Sequence, residues 1–150
     1  MKKYVIGIDP GSTKGHGVAV YEDGELVNIE MSQLMPLYAL LTTLKQSGSV
    51  IVHIEDVMAQ KAVWHGRKQS KAAYGKTSQN VALCKWSQVE VERMCEYIDV
   101  PVVKHRVSSC WKSTDSGQAQ FKKVTGWEGR SNEDKRSAAY FGWLGVQSAG

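Results

Sequence analysis

Tyr4-Val-Ile-Gly-Ile-Asp9, followed by Pro10-Gly11-Ser12, is the stretch that decides the fold. It is a short, β-branched, apolar run closed by a Pro-Gly turn signal, so it reads as a strand ending on a carboxylate. A second such run, Gly17-Val-Ala-Val-Tyr21, follows a glycine-rich connection. Asp23-Gly24 then marks a hairpin turn, and Leu26-Val-Asn-Ile29 returns from it. Three strands in a row at the start of the chain predict an antiparallel meander.

Beyond the meander the period changes. Leu34, Leu37, Tyr38, Leu41 and Leu44 recur at three- and four-residue spacing and predict a helix over 33–46. Pro36 is tolerated in its first turn, and Ser47-Gly48-Ser49 ends it. Val50-Ile-Val-His-Ile54 is a continuous apolar run, the pattern of a strand buried on both faces. Residues 59–77 are basic and polar, and Gly66 and Gly75 interrupt any period, so a long loop or a short helix pair is expected there. Thr77 or Ser78 would cap a helix from about Gln79 to Tyr97, with Pro101 just past its end. Val100 to Val103 reads as a fifth strand. Residues 110–125 read as a weakly patterned helix interrupted by Gly117, and Ser131 or Asn132 would cap a last helix reaching about Leu144. The order β-β-β-α-β-α-β-α-α predicts an α/β fold: a five-stranded mixed sheet flanked by helices, one domain over residues 1–150.

Composition narrows the class. The chain has 150 residues, 42% hydrophobic and 23% charged, which suits a globular domain. Such a domain buries roughly two thirds of its unfolded surface and needs no staples. Nineteen Lys and Arg against 15 Asp and Glu give a net charge of +4, which hints at a polyanionic partner. Cys84, Cys95 and Cys110 form no CxxC. On one helix Cys84 and Cys95 would lie roughly 16 Å apart, too far to bridge. A reducing, cytoplasmic compartment is the natural expectation. No apolar run reaches the roughly 18–20 residues of a membrane span, and Met-Lys-Lys leads into the first strand without an apolar signal region. Membrane, collagen-like, disulfide-scaffold and disordered classes are therefore not expected.

Three acids stand out by position. Asp9 ends the first strand, Glu55 ends the buried fourth strand, and Asp134 sits in the first turn of the last helix. Each alone has a plain explanation. Strands often end on a polar residue, Ser131-x-x-Asp134 has capping-box spacing, and an acid near a helix N-terminus is favoured by the dipole. Asp134 shares a helix face with Ser137, Ala138 and Phe141, so it would point toward the sheet. Brought together, three carboxylates repel one another unless a cation offsets them. Mg²⁺ prefers such oxygens and also binds phosphate, and paired ions support phosphodiester hydrolysis.

A phosphate-bearing substrate fits the charge pattern. From Val57 to Val89 there is no Asp or Glu. That stretch carries Lys61, Arg67, Lys68, Lys71, Lys76 and Lys85, with Trp64, His65 and Tyr74 interleaved. Charge runs are usually solvated faces, but this one directly follows Glu55. Its cations would contact phosphates and its aromatics would stack on unpaired bases. Lys104, Arg106, Lys112, Lys122 and Lys123 form a second basic group. The four histidines show no zinc spacing, no phosphate-loop or dinucleotide motif is present, and Cys110 reads as a buried structural thiol.

Val5-Ile-Gly-Ile-Asp-Pro-Gly-Ser12 with Gly15-His-Gly-Val-Ala-Val20 resembles the opening of the RuvC Holliday-junction resolvases, within the retroviral-integrase and RNase H-like superfamily. Val52-His-Ile-Glu55 is similar to that family's second motif, and Asp134-Lys-Arg-Ser137-Ala-Ala139 to its last. Val102-Val followed by Trp111-Lys112 looks like compact phage members. The resemblance is patchy between 59 and 100. It implies an RNase H-like fold and a structure-selective endonuclease that resolves four-way DNA junctions by paired symmetric nicks, leaving 5′-phosphate ends. It also implies Mg²⁺ as cofactor with Mn²⁺ as substitute, a homodimer, branched DNA as partner, and a bacterial or phage source. Residue by residue it makes Asp9, Glu55 and Asp134 metal ligands. Lys112 matches a lysine near the scissile phosphate, and Lys123, or Lys122, matches a second. Met58 falls where relatives place an aromatic that wedges into the junction. Ser137 stands where the family has a fourth acid; Glu133 or Asp56 would supply it, or one ion is held more loosely. A branched-DNA nuclease cutting forks or flaps, an RNA-directed enzyme of the same fold, and a non-catalytic junction-binding module are the other readings.

Overall fold

The computed structural model describes residues 1–59 and 71–149, with the side chains of 71–78 left out. Strands β1 (Lys2–Asp9), β2 (His16–Glu22) and β3 (Glu25–Ser32) form the expected antiparallel meander. Asp23 and Gly24 both take positive φ, 51° and 87°, as a two-residue hairpin turn requires. A register shift at Val20/Tyr21 leaves Val27 as the extra residue of a bulge, and its side chain is exposed. Helix α1 (Leu34–Ser47) leads into β4 (Gly48–Glu55), which lies parallel to β1. A 3-10 turn at Val57–Ala59 follows, then α2 (Lys71–Tyr97), β5 (Val102–His105), α3 (Ser116–Thr125) and α4 (Glu133–Ala149). The sheet order is β3-β2-β1-β4-β5, with β5 parallel to β4.

Strand parity sorts the core into two layers. Tyr4, Ile6 and Ile8 of β1 and Val50, Val52 and Ile54 of β4 face α1 and α2, meeting Leu37, Leu41, Val91 and Cys95. Val5, Ala19 and Tyr21 face the other way, onto Ala138 and Ala139 of α4 and Phe121 of α3. Asp9 and Glu55 belong to the second set. The register Ile8↔Ile54, continued by one residue, brings their strand ends side by side on the α4 face. There α4 lies directly on the sheet. A Cβ at Gly7 would collide with the Ala138 carbonyl, and one at Gly17 with the carbonyl of Asp134. The two glycines let the helix backbone close on β1 and β2.

Several element ends differ from the sequence reading. Helix α2 begins at Lys71 rather than near Gln79, so Thr77 and Ser78 lie inside it instead of capping it. A 27-residue helix tolerates Gly75, whose cost is about 1 kcal/mol. Strand β5 begins at Val102 rather than Val100. The Val100 N–H bonds Cys95 O and the Asp99 N–H bonds Glu96 O, with Asp99 at φ 56°, a Schellman close that takes Val100 out of the ladder. Residues 110–115 turn rather than coil into α3, because Trp111 sits at φ 67° and the Asp115 carboxylate caps Ser116. Gly117 belongs to the first turn of α3, tucked against the carbonyl carbon of Trp111. The Ser131-x-x-Asp134 box does not form. Asn132 caps α4 by accepting from Lys135 N–H at 2.8 Å, and Ser131 accepts from Arg136 instead. Helix α4 also runs past Leu144 to Ala149. Among the described residues no helix is long and apolar enough to cross a membrane.

Candidate active site

Three elements deliver one cleft. Asp9 comes from the end of β1, Glu55 from the end of β4 and Asp134 from the first turn of α4. Together with Lys112, the 10–15 loop, Val57 and Cys84 they line a cavity of about 280 Å³. The loop is held by His16, whose Nδ1 accepts the Gly11 N–H at 3.2 Å. Burial lowers the His16 pKa, which keeps the ring neutral and able to accept.

The carboxylates sit in an unfavourable place for charge. Asp9 is 5% exposed and Glu55 4%. Asp9 Oδ2 and Glu55 Oε2 are buried with no hydrogen-bond partner among the described residues. Burial, and then the neighbouring Asp9, push the Glu55 carboxyl up to about 7. Burial likewise raises Asp9, against the pull of Lys112. The Lys112 Nζ lies 3.6 Å from Asp9 Oδ2, an ion pair just outside hydrogen-bond range. Burial opposes the ammonium, but Asp9, Glu55 and Asp134 outweigh it and hold its pKa above the ordinary value. Lys112 is therefore a cation at neutral pH.

Orphaned carboxylate oxygens and an all-oxygen donor set would suit a hard divalent cation, and Asp9, Glu55 and Asp134 are the residues of the cleft that could donate to one. Among the described residues no group of three or more acids, histidines or cysteines is drawn together closely enough to hold a metal ion. The acids share the cleft walls, and a lysine stands where charge needs offsetting. Behind Glu55, His53 Nδ1 and His105 Nε2 approach to 2.7 Å, the rings stacked 5.0 Å apart. Burial, then His105, lower His53 to about 4, so the pair is neutral.

The other residues singled out in the sequence scatter. Glu133 is exposed at the first position of α4 and does not line the cleft. Asp56 turns away and accepts from Gln88 Nε2 at 2.9 Å, in a separate groove with Lys104 and Arg106. Ser137, by contrast, stays at the site: it is fully buried beside Asp9, whose carboxyl it helps to hold down, although no hydrogen bond of ordinary length reaches its hydroxyl among the described residues. Lys122 and Lys123 are exposed at the end of α3, away from the cleft lining. Met58 is exposed on the 3-10 turn, its N–H donating to Gln88 Oε1 at 2.9 Å. Lys61, Trp64, Arg67 and Lys68 lie outside the described residues, as do the side chains of Lys71, Tyr74 and Lys76 at the start of α2. Trp111 is core, packed on Phe121, Tyr140 and Trp143, whereas Cys110 beside it is exposed on the turn rather than buried as expected.

Sequence reasoning passed over three residues near the cleft. Cys84 and Gln88 were legible as one α2 face with Val91 and Cys95. Gln88, fully buried, ties the turn after Glu55 to α2 through Met58, Asp56 and Glu92. Arg136, 2% exposed, looks in sequence like any surface helix arginine.

No family model matches the chain, and no curated protein matches it. Solved structures do. Thermus thermophilus RuvC superposes over 99% of this chain and 96% of its own, at 13% identity and a TM-score of 0.56. T. thermophilus RuvC in complex with a Holliday junction substrate covers 98% and 95%, at 14% identity and 0.54. Fowlpox virus resolvase, in complex with substrate Holliday junction DNA, covers 96% and 99%, at 12% identity and 0.50. At these identities the likeness establishes the architecture: the mixed α/β, RNase H-like fold expected from the sequence.

Proposed function

We propose that this chain is a divalent-metal-dependent, structure-selective endodeoxyribonuclease that resolves four-way DNA junctions, acting as a homodimer that nicks paired strands. The observation that carries the reading is the convergence of Asp9, Glu55, Asp134 and Lys112 on one cleft from four separate stretches of chain. The fold shared with junction-bound resolvases supports the substrate class. Three free cysteines are in keeping with a reducing, cytoplasmic setting in a bacterial or phage-infected cell.

Asp9, Glu55 and Asp134 would hold the cation, Mg²⁺ or Mn²⁺ in its place. When bound, it polarises the phosphodiester and lets water act as nucleophile near neutral pH. The chain's own residues do the rest. The carboxylates fix where the scissile phosphate lies. Lys112 Nζ, cationic and close to Asp9, offsets charge that builds on the phosphate oxygens. The water oxygen joins phosphorus, the bond to the 3′ oxygen breaks, and that oxygen takes a proton, leaving 5′-phosphate and 3′-hydroxyl ends. Lys104, paired with Glu92 at 3.5 Å, and Arg106 lie on the separate groove beside Asp56, where they would meet flanking phosphates.

The test is cleavage of a labelled four-way junction beside a linear duplex of the same sequence, with and without Mg²⁺. Junction-specific, Mg²⁺-dependent cuts that vanish in Asp9→Asn while binding survives are expected. Equal cutting of both substrates, or an active mutant, refutes the mechanism. Fork and flap substrates in the same assay separate a broader branched-DNA nuclease. Ser137, buried where a fourth acid would stand, favours one second reading, a junction-binding module without cleavage. Tight junction binding with no Mg²⁺-dependent nick would decide for it.

A further inference from the structure

Arg136 is a buried cation without an acidic partner. It is 2% exposed, and no ion pair joins it to a carboxylate among the described residues. Its guanidinium is spent on neutral acceptors, mostly backbone. Nε donates to Trp111 O at 2.8 Å, and Nη2 donates to Lys112 O at 2.6 Å and, more weakly, to Ser113 O at 3.5 Å. Nη1 donates to Ser131 Oγ at 2.9 Å. Burying a full charge against neutral acceptors is costly, and an apolar filler would serve plain stability as well or better.

What the fork supplies is direction. The Trp111 and Lys112 carbonyls belong to the two peptide planes on either side of the Lys112 Cα. A planar guanidinium bonded to both fixes those planes, and with them the direction in which the Lys112 side chain leaves the backbone. The loop needs fixing, because Trp111 holds a left-handed φ of 67° that an L-residue rarely adopts. Arg136 also sits two positions after Asp134 on α4. The same helix turn thus presents one wall of the cleft and grips the loop that carries the cation opposite.

We infer that Arg136 is a positioning residue: it registers Lys112 against Asp9 and Asp134, and so aligns the lysine with the phosphate. The inference rests on the nuclease reading for its catalytic consequence, and on the hydrogen bonds alone for the clamp.

Arg136→Lys keeps the charge and loses the fork. On a four-way junction with Mg²⁺, kcat should fall about tenfold or more, since small misplacements of a reacting group are costly, while KM stays within about twofold. In a Lys112→Met background the same change should cost nothing further, because the group it aligns is gone. Ile29→Val, in the same core layer but on β3 rather than on α4 or the 111–113 loop, is the control for general loosening. Amide hydrogen exchange over 109–117 should quicken in Arg136→Lys and not in Ile29→Val. Unchanged kcat with unchanged exchange overturns the inference. So does a kcat loss that persists without Lys112, or one that Ile29→Val reproduces. If the wild type does not cut, the nuclease reading fails; exchange then decides the clamp, and an unchanged 109–117 segment overturns it. Should Arg136→Lys not fold, Ser131→Ala removes one acceptor at constant charge, with about a threefold drop in kcat expected, and no drop overturns the inference.

Discussion

Glu55→Gln should make this protein more stable above neutral pH and less useful. Glu55 is 4% exposed, with Oε2 lacking a partner among the described residues. Burial, then Asp9, carry its pKa from an ordinary 4.5 to about 7. Between those two values the folded chain keeps a proton that the unfolded chain has lost, so stability falls as pH rises through that window. Once Glu55 is ionised in the fold the deficit is about 3 kcal/mol. Glutamine keeps the shape and cannot ionise. At pH 8 the variant should therefore gain about 3 kcal/mol, roughly 10 °C in Tm for a chain of this length. Near pH 4, where the acid is protonated in both states, the two proteins should melt together. Thermal and urea unfolding of both at pH 4, 6 and 8 reads this directly. Adding Mg²⁺ at pH 8 should raise the wild-type Tm and leave the variant nearly unmoved, because a bound cation does what the substitution does. A pH-independent gap, or a variant less stable at pH 8, would show that the glutamate is not strained by its surroundings.

Three further outcomes follow from the geometry. Lys112→Met removes the ammonium 3.6 Å from Asp9; without Mg²⁺ it should lower stability at pH 8 by about 1–2 kcal/mol, Mg²⁺ should recover most of that, and a neutral result in denaturation would refute the pairing. Gly7→Ala drives a methyl into the Ala138 carbonyl, so a loss of about 3 kcal/mol or more, with α4 lifting off the sheet, is expected from calorimetry and near-UV circular dichroism. Tyr21→Phe deletes a buried hydroxyl that donates to Ala139 O at 2.6 Å, leaves that carbonyl short of a donor, and should cost about 1–2 kcal/mol in urea.

The parts of the fold that were legible are those where one local signal dominates. β-Branched runs placed β1, β2 and β4, and Asp23-Gly24 placed the hairpin, because period and turn chemistry agree there. Asp9 and Glu55 were legible as strand-end carboxylates, and the spacing of Ser137, Ala138 and Phe141 turned Asp134 toward the sheet; that the two strand ends lie side by side on that face is set by the β1–β4 register, which no local signal carries. What escaped was decided elsewhere in the chain. Val100 looks like strand, yet its N–H is taken by Cys95 O across the helix end. Gly75 looks like a break, yet a long helix carries it. Trp111 has a propensity for extended or helical backbone, and the α4 contacts hold it left-handed. Arg136 carries no local mark at all, since its meaning lies 24 and 25 positions upstream.

The glycine contacts between α4 and the sheet have a consequence for how such a centre can change. Asp134 is seated by main chain resting on main chain at Gly17, not by interlocking side chains that substitution could reshape. Its distance from Asp9 is thus inherited from the scaffold, as a hinge inherits its travel from the frame. Variation in what the protein accepts must then come from the 10–15 loop, which borders the cleft, since the lysine-bearing turn is itself anchored in the core through Trp111. Attempts to retune cation choice by moving carboxylates would meet a rigid floor, whereas exchanging the bordering loop would leave that floor intact.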